Sequence, residues 1–154
     1  MRIGITGHQR LKLESDWATV KAKIDEILAQ AGQPLIGVTS LAIGADQIFA
    51  DAILARRGKL EVVIPFYGYE RKFDEGPNRQ SYRRLIERAS AVDVLPARES
   101  DEAGYFEAGK RVVDLSDRMI AVWNGLPAGG LGGTADVVRY AEQKNKTIDI
   151  IKVT

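Results

Sequence analysis

Residues 119–136 of the chain read MIAVWNGLPAGGLGGTAD, an apolar run followed by a glycine-rich stretch. The apolar run 119–123 is typical of a buried strand, and a helix is predicted over 136–144. A strand, a glycine loop and a helix in this order direct backbone N–H groups and the positive end of the helix dipole towards an anion. Glycine lacks a Cβ, so a phosphate can approach such a loop closely. The stretch therefore predicts a strand–helix unit with a phosphate-binding loop.

Strands and helices alternate along the rest of the sequence. Strands are predicted over 2–6, 35–39, 60–65, 92–95, 118–123 and 147–153. Helices are predicted over 15–31 with Ser15 as the cap, and over 46–57, 81–91, 101–115 and 136–144, whereas 66–80 is irregular. Strands that alternate with helices form a mostly parallel sheet. The predicted fold is α/β, a Rossmann-like three-layer sandwich with helices flanking the sheet.

Composition limits the classes of function. The 154 residues are 45% hydrophobic and 28% charged, as expected for one domain spanning 1–154. Cysteine is absent and His8 is the only histidine, so thiolate chemistry and a histidine-rich metal site are excluded, although carboxylates could bind magnesium or calcium. No metal or cofactor is expected.

Charge and hydropathy make predictions about partners and location. The formal net charge of +1 disfavours nucleic acid as a partner. No apolar run reaches about 18 residues, and the first residues have no signal-peptide layout, so a cytoplasmic protein without a membrane partner is expected.

Ligands of parallel sheets bind beyond the carboxyl ends of the strands. This rule selects four loops, 7–10, 40–46, 66–79 and 124–134, which are expected to converge. The predicted ligand-binding residues are Thr6, Gly7, His8, Arg10, Ser40, Gly44, Asp46, Phe66, Asn124, Gly129, Gly130, Gly132, Gly133 and Thr134.

Several of these side chains have two possible roles. Arg10 has a planar guanidinium suited to phosphate, but it could also pair with Glu14. Asp46 could bind ribose hydroxyls, act as a base or cap the helix that follows. The Thr134 hydroxyl could bond a phosphate oxygen or a helix N–H. Asp136 is expected to stabilise its helix or reach a ribose, because it would repel a phosphate.

Aromatic and basic residues are interleaved in the irregular stretch and the start of the next helix. The loop that starts at Phe66 is predicted to cover a nucleobase, and neighbouring arginines could close over phosphates. Its aromatic residues, which could stack on the base or belong to the core, are Phe66, Tyr67, Tyr69 and Phe73. Arg83, Arg84 and Arg88 are interpreted as a solvated helix face. Further along the chain, Tyr105, Glu107 and Gly109 could also reach the site.

Three motifs follow predicted strands. They read Gly4-x-x-Gly7-x-x-Arg10, Ser40-x-x-x-Gly44-Ala45-Asp46 and Gly129-Gly130-x-Gly132-Gly133-Thr134-Ala135-Asp136. In this order they resemble the SLOG superfamily, a Rossmann-like group that includes the LOG (Lonely guy) phosphoribohydrolases, the DNA-processing Smf proteins and nucleotide-sensing domains of antiviral systems. The resemblance covers residues 2–151. It implies a nucleotide or nucleotide-derived ligand and assembly into a homo-oligomer.

The resemblance to LOG enzymes implies phosphate binding and leaves catalysis open. LOG enzymes split a nucleoside 5′-monophosphate into base and ribose phosphate, with the signature Pro-Gly-Gly-x-Gly-Thr-x-x-Glu and a catalytic glutamate. Here the glutamate position holds Val137, and Asp136 lies one residue earlier, which is a rotation of about 100° on a helix. If the protein is an N-glycosidic hydrolase or transferase, its candidate acids are Asp46, Asp136 and Glu107. By analogy with Smf proteins, single-stranded DNA binding by Arg79, Arg83 and Arg84 is a further alternative.

Overall fold

The computed structural model describes residues 1–154, in which six strands alternate with five α-helices. The strands are β1 (Arg2–Gly7), β2 (Ile36–Thr39), β3 (Lys59–Ile64), β4 (Ala91–Val94), β5 (Arg118–Trp123) and β6 (Thr147–Lys152). The helices are α1 (Asp16–Ala29), α2 (Ala45–Ala55), α3 (Pro77–Arg88), α4 (Asp101–Leu115) and α5 (Thr134–Gln143), and a short 3₁₀ helix spans Tyr69–Lys72. All strand pairs are parallel, in the order β4-β3-β2-β1-β5-β6. The predicted α/β Rossmann-like fold is confirmed.

Apolar side chains pack on both faces of the sheet. Consecutive strand residues point to opposite faces, so Met119 joins a cluster with residues of α4 and α5, whereas Ile120 joins a larger cluster with α1 and α2. Within α1, the residues Val20, Ile24 and Leu28 repeat at four-residue spacing and are buried, as the sequence periodicity predicts. The sheet is therefore the middle layer, and the helices packed on its two faces are the outer layers.

The start of α3 differs from the prediction. The helix begins at Pro77, four residues before the predicted boundary. Gly76 adopts a φ of 136°, which ends the preceding loop, and Pro77 occupies the first helical position, where its missing N–H costs nothing. Two residues of the stretch predicted to be irregular, Gly76 and Pro77, therefore start the helix. Ser15 also differs, because it precedes α1 without making a side-chain cap hydrogen bond.

The strand order creates a switch point between β1 and β5. The chain continues from β1 through β2 and β3 to β4 on one side, and from β5 to β6 on the other. The register pairs Gly7 with Val122, so the loops that follow β1 and β5 leave the sheet side by side. Such a crevice is where open α/β sheets bind ligands. No helix in the structure has the length and apolar character needed to span a bilayer.

Candidate functional site

A cavity of about 630 Å³ opens at the carboxyl ends of the strands. The four loops selected from the sequence converge on it, and α4 closes one side through residues such as Tyr105 and Gly109. All the predicted ligand-binding residues line this cavity except Gly44 and Phe66. Its volume is in the range of small-molecule sites.

The N-terminus of α5 offers unused donors to the cavity. The backbone N–H groups of Thr134 and Ala135, at the first two positions of the helix, donate to no protein atom, and both residues line the cavity. Two preceding amides are used internally: Gly132 N–H donates to Asp136 Oδ2 at 3.0 Å, and Gly133 N–H donates to the Gly130 carbonyl at 3.4 Å. Donors at a helix N-terminus, aided by the dipole, favour an anion.

The structure requires glycine at only some positions of this loop. Gly132 has a φ of +87°, and a Cβ there would lie 2.8 Å from the Phe106 backbone nitrogen, so packing against α4 requires it. A Cβ at Gly129 or Gly130 would meet no atom within 4 Å, and neither residue has a positive φ. The fold therefore does not require glycine at these two positions. Both residues line the cavity and place no side-chain atoms in it.

Gly44 is required for backbone packing and does not line the cavity. Its φ is +82°, and a Cβ would lie 2.5 Å from the Gln9 carbonyl oxygen. The next residue, Ala45, donates its N–H to the His8 carbonyl at 3.3 Å. Gly44 thus allows the start of α2 to pack against the loop after β1, and its predicted contact with a ligand is not supported.

The His8 side chain joins the two loops at the switch point. Its Nε2 accepts the Asn124 N–H at 3.0 Å, and its Nδ1 lies 3.5 Å from Thr134 Oγ1. Arg10, two residues on, is exposed on the cavity wall and makes no ion pair, so the alternative pairing with Glu14 is absent. Its guanidinium is available to a negatively charged ligand.

Asp46 is a buried carboxyl group on the cavity wall. It is 7% exposed and lies in the first turn of α2. Burial raises the pKa of Asp46 to about 7, against hydrogen bonds from Ala42, Thr39 and Ser40 that lower it. The Ala42 N–H donates to Oδ2 at 3.3 Å, so Asp46 stabilises the loop before the helix rather than capping a helical N–H. A carboxyl with a pKa near neutrality in a cavity can donate or accept a proton.

Tyr69 lies near Asp46 and was not among the predicted site residues. Burial, followed by the charge of Asp46, raises the pKa of Tyr69 well above its ordinary value, so its hydroxyl stays protonated. The hydroxyl makes no hydrogen bond to another protein atom, and the residue lines the cavity. The ring packs edge-on to Phe73 and Tyr82 at centroid distances of 5.3 and 5.7 Å.

Two predicted side chains lie outside the cavity. Asp136 accepts the Gly132 N–H and lies 3.7 Å from Arg139, so it stabilises the loop and its own helix. Phe66 packs against Tyr69 at 5.9 Å and Tyr105 at 5.7 Å, behind the wall that Tyr69 and Tyr105 form. Val137, at the position of the LOG glutamate, is buried against α4.

The other charged candidates are engaged elsewhere. Arg79 and Arg83 pair with Glu70 at 3.3 and 3.0 Å, and Arg84 pairs with Asp51 at 2.9 Å. Glu107 pairs with Lys110 at 2.7 Å and does not line the cavity. The cavity-lining residues that are not among the predicted site residues include Tyr69, Lys72, Phe73, Asp74, Asn78 and Trp123. Tyr69 and Phe73 lie in the irregular stretch 66–80, where no periodicity indicates which rings face inwards.

Comparisons with known proteins identify structural relatives but no sequence family. No protein-family model matches this sequence, and no curated protein sequence is detectably similar to it. DNA processing protein A from Helicobacter pylori, described for its single-stranded DNA binding mode, superposes with a TM-score of 0.67 at 16% identity, over 97% of this chain and 64% of its own. DNA processing protein A from Streptococcus pneumoniae gives 0.66 at 17% identity, over 99% and 50%.

A third relative has a different described role. The molybdenum cofactor carrier protein of Chlamydomonas reinhardtii gives a TM-score of 0.54 at 15% identity, over 97% of this chain and 74% of its own. The chain thus spans only 64% and 50% of the two DNA processing proteins. At these identities the likeness shows a shared Rossmann-like fold.

Proposed function

We propose that this protein is a member of the SLOG superfamily that binds a nucleotide or nucleotide-derived small molecule in the cavity. The observation that carries the proposal is the pair of unused N–H groups of Thr134 and Ala135, which adjoin the cavity where Gly129 and Gly130 leave space. Helix N-termini with open glycines are sites that accept phosphate. The unpaired Arg10 supplies a positive charge at the same cavity.

The rest of the cavity suits a sugar and a base. Asp46 and Ser40 line the part that follows β2, where polar oxygens can bond ribose hydroxyls. Tyr69, Phe73 and Tyr105 line the part that follows β3 and faces α4, and an aromatic ring there can contact a base. Tyr69 and Phe73 belong to the loop that the sequence predicts to cover the base, whereas Phe66 itself does not line the cavity.

Nucleotides should raise the thermal stability of the protein. We expect AMP, ADP-ribose or a cyclic nucleotide to bind the folded state only. A ligand at about 100 times its dissociation constant raises the free energy of unfolding by about 2.7 kcal/mol. This corresponds to a rise in Tm of roughly 5–11 °C for a domain of this size. Differential scanning fluorimetry with each nucleotide measures the shift, with ribose and free adenine as controls. An unchanged Tm with all three nucleotides would contradict the proposal.

A second candidate function is hydrolysis of the N-glycosidic bond of a nucleoside monophosphate. The buried Asp46 favours it, because its raised pKa allows it to protonate the departing base while water adds to the anomeric carbon. The bond between base and sugar breaks, the base gains the proton of Asp46, ribose 5-phosphate gains the hydroxyl of water, and the remaining proton of the water returns to the Asp46 carboxylate. Asp136 and Glu107 are not supported in this role, since neither lines the cavity.

Release of free base tests this second candidate. We expect the protein to liberate adenine from AMP, detected by liquid chromatography, and the Asp46→Asn variant to lose at least a hundredfold in rate, within the range for a lost general acid. The variant should still bind AMP, since Asn retains an acceptor for the Ala42 N–H. If the wild-type protein binds AMP and releases no adenine, the protein is a binder or sensor of AMP.

Single-stranded DNA binding has less support. The arginines that would form a DNA-binding face are paired with Glu70 and Asp51. The homo-oligomer and the cytoplasmic location expected from the sequence remain predictions.

A further inference from the structure

We infer that His8 is a positioning residue that aims the Thr134 hydroxyl at the ligand's phosphate. The inference rests on the proposed function for its ligand, and on hydrogen-bond geometry for its mechanism. His8 lies at the switch point, at the end of β1, and its ring lies between the loop after β5 and the N-terminus of α5.

The Asn124 backbone determines the tautomer of the imidazole. A backbone N–H can only donate, so the Nε2 that accepts it at 3.0 Å carries a lone pair and no hydrogen. A neutral imidazole with a bare Nε2 carries its hydrogen on Nδ1. The ring therefore presents a donor, not an acceptor, towards Thr134.

The Nδ1–H in turn determines the direction of the Thr134 hydroxyl. Thr134 Oγ1 lies 3.5 Å from Nδ1 and has no other protein partner. Because Oγ1 can only accept from this nitrogen, its own hydrogen must point elsewhere. Thr134 is 8% exposed and that exposure lies on the cavity, so the hydroxyl hydrogen joins the N–H groups of Thr134 and Ala135 as a third donor.

The backbone of His8 makes this arrangement rigid. Its N–H donates to the Val122 carbonyl at 3.1 Å, and its carbonyl accepts the Ala45 N–H at 3.3 Å. The backbone that carries the ring is thus bonded to β5 and to the start of α2. A donor held in place before the ligand arrives costs less to order on binding.

A spectrum of the unliganded protein tests the tautomer directly. His8 is the only histidine, so a two-bond ¹H–¹⁵N correlation spectrum shows a single imidazole. We expect the pattern of a ring protonated at Nδ1 alone. A ring protonated at Nε2, or the averaged pattern of exchanging tautomers, would overturn the inference, whether or not any nucleotide binds.

Affinity for AMP, measured by calorimetry, tests the effect on the ligand. The His8→Asn variant places an amide N–H near the Nδ1 position, whereas the His8→Gln variant reaches only the Nε2 position. We expect His8→Gln to bind AMP roughly tenfold more weakly, as for a lost hydrogen bond to a charged group, and His8→Asn to stay within about threefold of the wild type. Equal losses in the two variants would overturn the inference.

A double-mutant cycle separates positioning from general loosening of the loop. If His8 acts through the Thr134 hydroxyl, His8→Gln costs no further affinity in a Thr134→Val background. Additive losses would overturn the inference. If wild-type protein binds no AMP, the proposed function fails, and the spectrum of the free protein still decides the tautomer.

Discussion

Replacing Gly130 with valine is expected to weaken AMP binding by roughly tenfold to hundredfold, the cost of overpacking a site by a few carbon atoms. The side chain would enter the space beside the Thr134 and Ala135 N–H groups that we assign to phosphate. Stability should change by less than about 0.5 kcal/mol, as for a surface substitution, because a Cβ at Gly130 meets no protein atom within 4 Å and the backbone φ is not positive. Calorimetry with AMP and chemical denaturation measure the two effects.

Gly32 provides the matched control. A Cβ there also meets nothing within 4 Å, its φ is not positive, and the residue lies outside the cavity at the end of α1. Gly32→Val should therefore bind AMP like the wild type. Normal binding by Gly130→Val would mean that the phosphate lies elsewhere, and the proposal for the glycine loop would then be wrong.

The Asp46→Asn variant is expected to remove a large part of the pH dependence of stability. The pKa of Asp46 is about 7 in the folded protein against an ordinary value of 3.8, so the folded state binds the proton more tightly than the unfolded chain. The stability that Asp46 contributes is fully present below the pKa of the group in the unfolded chain. It is lost as pH rises towards the pKa of the group in the folded protein. Between about pH 5 and about pH 8 the loss amounts to roughly 2–3 kcal/mol.

Denaturation curves at several pH values measure this effect. The difference in unfolding free energy between Asp46→Asn and the wild type should move in favour of the variant as pH rises across that window. The exposed Glu26 on α1, replaced by glutamine, should keep the wild-type profile. A constant difference between Asp46→Asn and the wild type would show that Asp46 is ionised throughout, and would remove its role as a proton donor.

Local sequence patterns were sufficient for most of the fold. The predicted bounds of α4 and β5 match the observed bounds. A regularly spaced apolar face determines α4, and a continuous apolar run determines β5. The predicted start of α3 was wrong because Gly76 and Pro77 start this helix. Helix propensity alone does not distinguish a glycine and a proline that begin a helix from those that interrupt one.

Sequence alone also determined which loops form the candidate site. The alternation of strands and helices requires a parallel sheet, and in such a sheet the glycine and polar loops at the carboxyl ends of the strands meet at one edge. Arg10, Asp46 and Thr134 line the cavity for this reason.

Only the tertiary structure decided what each side chain contacts. It directs Asp136 to the Gly132 N–H and places Phe66 behind Tyr69, because both depend on packing between segments far apart in the chain. The His8 contact with Asn124 spans 116 positions, and the burial that raises the pKa of Asp46 comes from the packed core around α2. Periodicity reports which face of an element is apolar, whereas hydrogen-bond partners and desolvation depend on distances that exist only after the chain has folded.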